Sequence, residues 1–201
     1  MASVTPPGSP MHSKRNILEK LDDVCCAKTA ISTDHSNVHL VFASNLDFMN
    51  IDFGHNKNVI VKTVPLYSKE DQTTRLFYTT GVGPNLLACI TDKSLGIKYM
   101  ILEFLGKNTL VDYIAQGNHV PYVKIKQLLC RIAGHGLYHK DLNLNNFLVT
   151  PDGLKVIDFG KVEMIHTRPR DQVECDSIFI SMYQDVCDHI KHLHIQLRAT
   201  N

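Results

Sequence analysis

The stretch HKDLNLNN at residues 139–146, followed by D-F-G at residues 158–160, decides the fold of this chain. The residues between the two stretches are typical of a strand, a Pro-Asp-Gly turn and a second strand. A hairpin of this kind brings its two ends together, so we expect Asp141, Asn146 and Asp158 to converge. Converging oxygen atoms suit Mg²⁺, which shares its coordination with substrate phosphates. The sequence therefore predicts the polar half of a phosphoryl-transfer site, in which one carboxylate receives a hydroxyl proton while the amide and the second carboxylate hold the metal.

A second D-F-G, at residues 52–54, provides a control within the same chain. No H-x-D precedes it, and a strand follows it closely, so it is predicted to be a turn between strands. A turn at the end of a strand is also the alternative for Asp158. We favour a metal ligand at Asp158 because Asp141 and Asn146 precede it in the order H-x-D-x-x-x-x-N.

The composition is that of a globular protein with one core or two small lobes, since the chain has 201 residues of which 44% are apolar. A net charge of +1 indicates no attraction to nucleic acid or to an anionic membrane. No apolar run reaches the length of a bilayer span, and no secretory signal peptide opens the chain. The six cysteines are dispersed, which favours reduced thiols in an intracellular protein. His189, His192 and His194 share a predicted helix, where a packed or solvated face is favoured over a zinc site.

Three segments are expected along the chain. Residues 1–16 are small, polar and rich in proline, which predicts a flexible leader. Residues 17–104 open with a short amphipathic helix and continue mainly as strands, whereas residues 105–201 are mainly helical. The clearest strands are predicted at 38–42, 59–64 and 97–104, and another is expected to begin at Gly83.

Helix boundaries are predicted from capping patterns. Ser68 with Asp71, and Thr109 with Asp112, match the capping box that opens a helix. The first of these helices is expected to end at Gly81, and Pro121 suits the first turn of a later one. The last helix is predicted from about residue 172 to residue 197.

A cation is also needed beside the phosphates, and Lys62 is the candidate. It follows Val59-Ile60-Val61 in an apolar strand, where a lysine is costly unless it is paired. Glu70, on the next predicted helix, could pair with it and orient its ammonium towards the phosphates. The alternatives are that Lys62 protects an edge strand from aggregation, and that Asp71 is the partner or that both acids simply favour a helix N-terminus.

The order of these motifs, together with Leu102-Glu103-Phe104-Leu105, resembles the catalytic core of protein kinases in miniature, over residues 30 to 185. The resemblance implies an α+β bilobal fold, with a β-rich N-lobe and a reduced helical C-lobe, that uses ATP with Mg²⁺ or Mn²⁺. It places Asp141, Lys62, Glu70 and His139 in catalysis, and Asn146 and Asp158 on the metal.

The resemblance also assigns the nucleotide contacts. Lys62 would bind phosphates, and the backbone from Glu103 to Leu105 would meet the adenine as a hinge between the lobes. Ser32, Ser36 and Val38 would take the place of the phosphate-binding loop. Leu102 would guard a pocket behind the adenine, with a plain core position as the alternative.

Four departures from the common kinase pattern stand out. Residues 31–38 contain no glycine, although close approach to a phosphate favours one. Asn143 stands where Ser/Thr kinases generally carry a lysine, and Lys140 replaces an arginine that binds an activating phosphate bidentately. Fifteen residues separate Gly160 from Asp176 without A-P-E, so we expect an enzyme that is constitutive or switched by a partner. Asp176 would anchor the catalytic loop, or would be an exposed carboxylate at the start of a helix.

A kinase of this size and layout is similar to the kinase effectors that bacterial type III secretion systems inject into host cells, most of all those that phosphorylate the host ninety-kilodalton heat-shock chaperone. This implies a monomer acting on Ser or Thr of a host protein in the host cytoplasm, with the leader as secretion signal. Two alternatives remain: a small-molecule kinase of the aminoglycoside or lipopolysaccharide type, indicated by the run from Gly81 to Leu87, and a pseudokinase that binds a host protein.

Overall fold

The computed structural model describes residues 10–26, 37–165 and 172–199, with the side chains of residues 10–16, 26 and 172 outside the description. It is a mixed α+β structure with an antiparallel sheet and a helical part, which confirms the predicted fold class and is compatible with a minimal bilobal kinase fold. The chain forms two compact units, one of residues 1–67 and 87–104 and one of residues 68–86 and 105–201. The predicted segment limits at residues 16 and 104 stay predictions.

The first unit is built on a four-stranded antiparallel sheet. Its elements are α1 (Pro10–Cys26), β1 (Val38–Phe42), a 3₁₀ helix (Ala43–Met49), β2 (Asn58–Pro65), β3 (Leu86–Asp92) and β4 (Ile97–Glu103). The strand order is β1-β2-β4-β3, so β2 is an interior strand. Alternate residues of β2, Val59 and Val61, are fully buried beside Ile101 and Leu21. One face of the sheet therefore forms the core of this unit.

The predicted strands of the first unit are confirmed, with two differences nearby. Helix α1 begins at Pro10, earlier than the predicted start at Ile17. Strand β3 begins at Leu86 and not at Gly83, because the N–H groups of Val82 and Gly83 both donate to the Phe77 carbonyl and so complete the end of the preceding helix. Residues 27–36, which include most of the glycine-free loop, lie outside the described residues.

The second unit contains most of the helices and two short β pairs. Its elements are α2 (Glu70–Thr79), α3 (Leu110–Ala115), α4 (Tyr122–Gly134), β5 (Leu137–His139), a 3₁₀ helix (Leu144–Asn146), β6 (Phe147–Thr150), β7 (Gly153–Val156), a 3₁₀ helix (Phe159–Lys161), β8 (Val162–Met164) and α5 (Gln172–Ala199). Strands β6 and β7 form the predicted hairpin, and β5 pairs with β8. Fully buried residues of α4 and α5, including Ile125, Leu129 and Val186, form the core. The hairpin that was to bring the motif residues together is thus confirmed.

The Thr109 capping box is confirmed. Thr109 and Asp112 exchange the expected hydrogen bonds at the start of α3. Helix α2 begins at Glu70, with Lys69 as the cap residue, one residue after the predicted cap at Ser68. The Ser68 hydroxyl accepts a hydrogen bond from the Glu70 N–H at 3.1 Å. Within the described ranges, no helix is both long and apolar enough to cross a bilayer.

Candidate active site

The loop that carries Asp141 is shaped by alternating apolar and polar residues. Leu142 and Leu144 are buried in the core of the second unit, 2% and 4% exposed, whereas Asp141 and Asn143 between and beside them are half-buried. The Asn143 side chain caps the 3₁₀ helix that follows, accepting from the Asn145 N–H at 3.0 Å. The two leucines thus fix the loop while the polar side chains face outward.

The Asp141 carboxylate lies between two donors. The Asn143 amide donates to Oδ1 at 3.2 Å, and the Lys161 ammonium donates to Oδ2 at 2.9 Å. The Lys161 charge holds the pKa of the Asp141 carboxyl below its usual range, with help from Asn143 and against the effect of partial burial. Asp141 is therefore ionised at neutral pH, which is the state a proton acceptor requires.

His139 supports Asp141 from inside the core. Its ring is fully buried, and its Nδ1 accepts the Asp141 backbone N–H at 3.2 Å. The ring centroid lies 6.1 Å from that of Phe77 and 5.9 Å from that of Phe159. Burial lowers the pKa of His139, although the main chain of Ile157 and the charges of Asp158 and Asp141 oppose it. Since Nδ1 accepts, the ring is neutral with its proton on Nε2, and His139 orients the loop.

Asn146 ties the loop to the second D-F-G. Its side-chain nitrogen Nδ2 donates to the Asp141 backbone carbonyl at 2.8 Å, and its backbone carbonyl accepts the Ile157 N–H at 2.9 Å. Asp158 follows Ile157 directly, in the left-handed conformation with φ 63°. This conformation is uncommon for a residue other than glycine and is typical of functional sites. The structure therefore brings Asp141, Asn146 and the start of the D-F-G together.

The residues at this point fit a divalent ion. With its nitrogen engaged in the loop, the Asn146 amide presents Oδ1, the atom that a metal would bind, without a hydrogen bond among the described residues. Mg²⁺ is usually held by one or two side chains together with substrate phosphates. No group of three or more His, Cys, Asp and Glu side chains forms a metal site within the described part of the chain, His189, His192 and His194 included. Asn146 and Asp158 suit an ion that substrate phosphates help to bind.

Glu70 reaches the same point from α2. It is 6% exposed, and its Oε2 lies 3.4 Å from where a Cβ on Gly160 would stand, with Asp158 Oδ1 at 3.6 Å from that position. The Thr73 hydroxyl, one turn along α2, contacts the Phe159 carbonyl at 3.5 Å. Two carboxylates are thus held beside Gly160. A buried carboxylate is stable only with a partner.

Lys62, Val38 and Glu103 lie in the first unit. Lys62 is half-buried in β2, directly opposite Val38 on one side and Met100 on the other. Because β2 is interior, the alternative that Lys62 protects an edge strand is wrong. Glu103 ends β4 opposite Val59. The structure thus makes Val38 and Lys62 cross-strand neighbours.

The remaining predicted residues are placed as follows. Leu105 is half-buried and opens the second stretch of the second unit, and Leu102 is 9% exposed in β4. Asp176 is exposed near the start of α5. Ser32 and Ser36 lie outside the described residues. The functional roles assigned to these residues stay predictions.

Lys161 is a charged residue at this site that the sequence did not single out. It follows the second D-F-G directly, and its ammonium contacts Asp141. Its signal in the sequence is weak, because an exposed lysine after a turn is common. Only the pairing of β5 with β8 brings it back to the loop.

Two kinases are similar to parts of this chain. No family model matches the chain. Among curated proteins, the serine/threonine-protein kinase AfsK of Streptomyces griseus is 29% identical over 119 residues, which is 52% of this chain and 15% of that protein. The solved structure of the Cydia pomonella granulovirus kinase PK-1 matches with a TM-score of 0.49 and 15% identity, over 75% of this chain and 57% of that one. The chain thus spans a small part of the relative it matches, and the sequence similarity supports a kinase-like phosphotransferase.

Proposed function

We propose that this protein is a protein kinase that transfers the γ-phosphoryl group of ATP to a serine or threonine hydroxyl. The observation that carries the proposal is the Asp141 carboxylate, held ionised by Lys161 and Asn143 and linked through Asn146 to Asp158. The similarity to a serine/threonine-protein kinase supports the same reaction class.

In this proposal Asp141 accepts the hydroxyl proton as the hydroxyl oxygen bonds to the γ-phosphorus and the electron pair of the broken bond leaves with ADP. Asn146 and Asp158 hold magnesium, which neutralises charge on the phosphates when bound. His139 keeps the Asp141 backbone in place through the hydrogen bond to Nδ1. The protein's contribution is mainly positioning and electrostatics, as is general for phosphoryl transfer.

Nucleotide binding is assigned to both units in this proposal. Lys62 binds phosphates, with Glu70 as the carboxylate partner that the motif order assigns to it. Glu103 and Leu105 meet the adenine, and Ser32, Ser36 and Val38 lie along the phosphates. The support for these contacts is the order of the motifs.

We extend the proposal to a monomeric bacterial effector that acts in the cytoplasm of a host cell on the ninety-kilodalton heat-shock chaperone. The support is the resemblance in motif layout, and the acceptor protein is open to direct test. Incubation with labelled ATP, Mg²⁺ and eukaryotic lysate should label one protein band, and adding purified chaperone should strengthen it. Label on small molecules would favour the small-molecule kinase, and no transfer would favour the pseudokinase.

The matched variants for this assay are Asp141→Ala and Asp152→Ala. Asp141→Ala should lower turnover by about a hundredfold or more, since it removes the general base. Asp152 lies exposed in the turn between β6 and β7, so Asp152→Ala should transfer phosphate like the wild type. Equal turnover in the two variants would contradict the role of Asp141.

A further inference from the structure

The second oxygen of the Asp141 carboxylate is held by the Lys161 cation, which has no role in the transfer step described above. Lys161 Nζ lies 2.9 Å from Asp141 Oδ2, while Asn143 occupies Oδ1 as a neutral donor. The Lys161 side chain is 71% exposed, and that of Asp141 30%. Lys161 is thus a solvent-exposed cation in direct contact with the proposed proton acceptor.

The position of Lys161 is fixed by the backbone. Its carbonyl accepts the Lys140 N–H at 3.1 Å, and the next residue, Val162, pairs with His139 across β5 and β8. Lys161 also ends the 3₁₀ helix of the D-F-G, three residues after Asp158. The lysine is therefore tied to both the base and the metal-binding stretch by main-chain contacts.

The neighbouring Lys140 shows that this placement is particular to Lys161. Lys140 is also exposed and adjacent to Asp141 in sequence, yet its ammonium pairs with Glu163 and lies 5.9 Å from the centroid of the Tyr138 ring. The Asp158 charge, after that of Asp141, also raises the pKa of Lys161. Of these two lysines, Lys161 is thus the one influenced by both carboxylates of the site.

We propose that Lys161 is a catalytic residue, which holds Asp141 towards the acceptor hydroxyl and places a positive charge beside the transferred phosphoryl group. This rests on the proposed kinase function. In the step, Asp141 takes the hydroxyl proton, the hydroxyl oxygen bonds to the γ-phosphorus, and the bond from that phosphorus to the leaving ADP oxygen breaks. Lys161 keeps its proton throughout and balances the charge on the phosphoryl oxygens. The cation makes Asp141 a weaker base, which is acceptable because phosphoryl transfer depends chiefly on positioning and charge stabilisation.

The competing explanation is an ordinary exposed ion pair, which contributes little to the free energy of unfolding. Kinetics separate the two. Lys161→Ala should lower kcat by about a hundredfold, the loss expected for removing one donor that stabilises developing charge, with KM for ATP little changed. Lys161→Arg should retain more activity because it keeps the charge, and Lys140→Ala is the matched control with wild-type turnover. Adding Asn143→Lys to Lys161→Ala should recover about tenfold or more, since it returns a cation to the other oxygen of Asp141.

A second readout does not depend on transfer. Limited acetylation followed by mass spectrometry should show Lys161 protected by ATP with Mg²⁺, whereas Lys140 should react equally with and without nucleotide. Two results would contradict the role of Lys161 and leave the kinase function standing. One is phosphate transfer by a wild type in which nucleotide does not protect Lys161, and the other is unchanged turnover in Lys161→Ala. A wild type that transfers no phosphate, with neither Lys62 nor Lys161 protected, overturns the kinase function and the inference with it.

Discussion

The same tripeptide, Asp-Phe-Gly, occurs twice in this chain and is folded in two different ways. At residues 52–54 the left-handed residue is Gly54, with φ 57°, and Asp52 accepts the Gly54 N–H at 2.8 Å in an exposed turn. At residues 158–160 the left-handed residue is the aspartate itself, with φ 63°. In the first copy the aspartate closes its own turn, and in the second its backbone adopts the strained conformation that a turn would normally give to glycine.

The two phenylalanines differ in the same way. Phe53 is 8% exposed and belongs to the core of the first unit. Phe159 is 3% exposed, with its ring centroid 4.2 Å from that of Phe77 and 5.9 Å from that of His139. One phenylalanine therefore only fills a core, whereas the other also packs against the histidine that holds Asp141. The surroundings of the tripeptide, and not the tripeptide itself, therefore make the site.

The largest expected difference in phosphate transfer is between variants of the two aspartates, Asp158 and Asp52. Asp158→Ala should abolish phosphate transfer because it removes a proposed metal ligand, and Asp52→Ala should transfer like the wild type. Phosphate transfer from labelled ATP in the presence of Mg²⁺ measures both. Near-native turnover of Asp158→Ala, or an equal loss in the two variants, would mean that the two copies do not differ in function.

Replacing the phenylalanines separates packing from catalysis. Phe159→Ala and Phe53→Ala should each lower the free energy of unfolding by about 3–5 kcal/mol, since both remove a buried aromatic side chain. The milder Phe159→Leu should lower turnover by up to about a hundredfold, because small displacements of a catalytic loop are costly, while Phe53→Leu should not. Urea unfolding and steady-state kinetics provide the two measurements. Wild-type turnover in Phe159→Leu would show that the contact with His139 has no catalytic role.

How much the sequence could predict follows from the same comparison. The pattern of strand, Pro-Asp-Gly turn and strand predicted the hairpin, and the H-x-D-x-x-x-x-N before residue 158 distinguished the two D-F-G copies, because local order and turn residues decide both. Lys161 was missed because its contact depends on the pairing of β5 with β8, two three-residue strands too short to show a pattern. The start of β3 was misplaced because the glycines at 81 and 83 close α2, a contact with the Phe77 and Tyr78 carbonyls that composition does not reveal.

The pH dependence of the free energy of unfolding should differ between Phe159→Ala and Phe53→Ala, because Phe159 packs against His139. Burial lowers the pKa of His139, so the unfolded chain binds a proton to this residue more readily than the folded one. Its contribution to stability is complete above the unfolded value of 6.5 and is lost as the pH falls through the folded pKa. Phe159→Ala should weaken this dependence by admitting water to the ring, while Phe53→Ala should keep it.

Urea unfolding between about pH 8 and pH 5 measures this dependence. His39, whose pKa burial also lowers, is replaced by Gln in both variants, so that its titration does not enter their difference. Identical pH dependence in Phe159→Ala and Phe53→Ala would contradict the protection of His139 by Phe159.

The smallest expected contrast is between the two glycines. Gly54→Ala should lower the free energy of unfolding by about 1 kcal/mol, because its left-handed φ disfavours a Cβ although the space around it is open. Gly160 lacks such a φ, and its Cβ would instead stand 3.4 Å from Glu70 Oε2 and 3.6 Å from Asp158 Oδ1. Gly160→Ala should therefore leave stability nearly unchanged, because both distances are ordinary van der Waals contacts. It should lower turnover by roughly tenfold, since the added methyl group restricts the movement of both carboxylates. Lost turnover in Gly54→Ala together with a fully active Gly160→Ala would contradict the assignment of the site to residues 158–160.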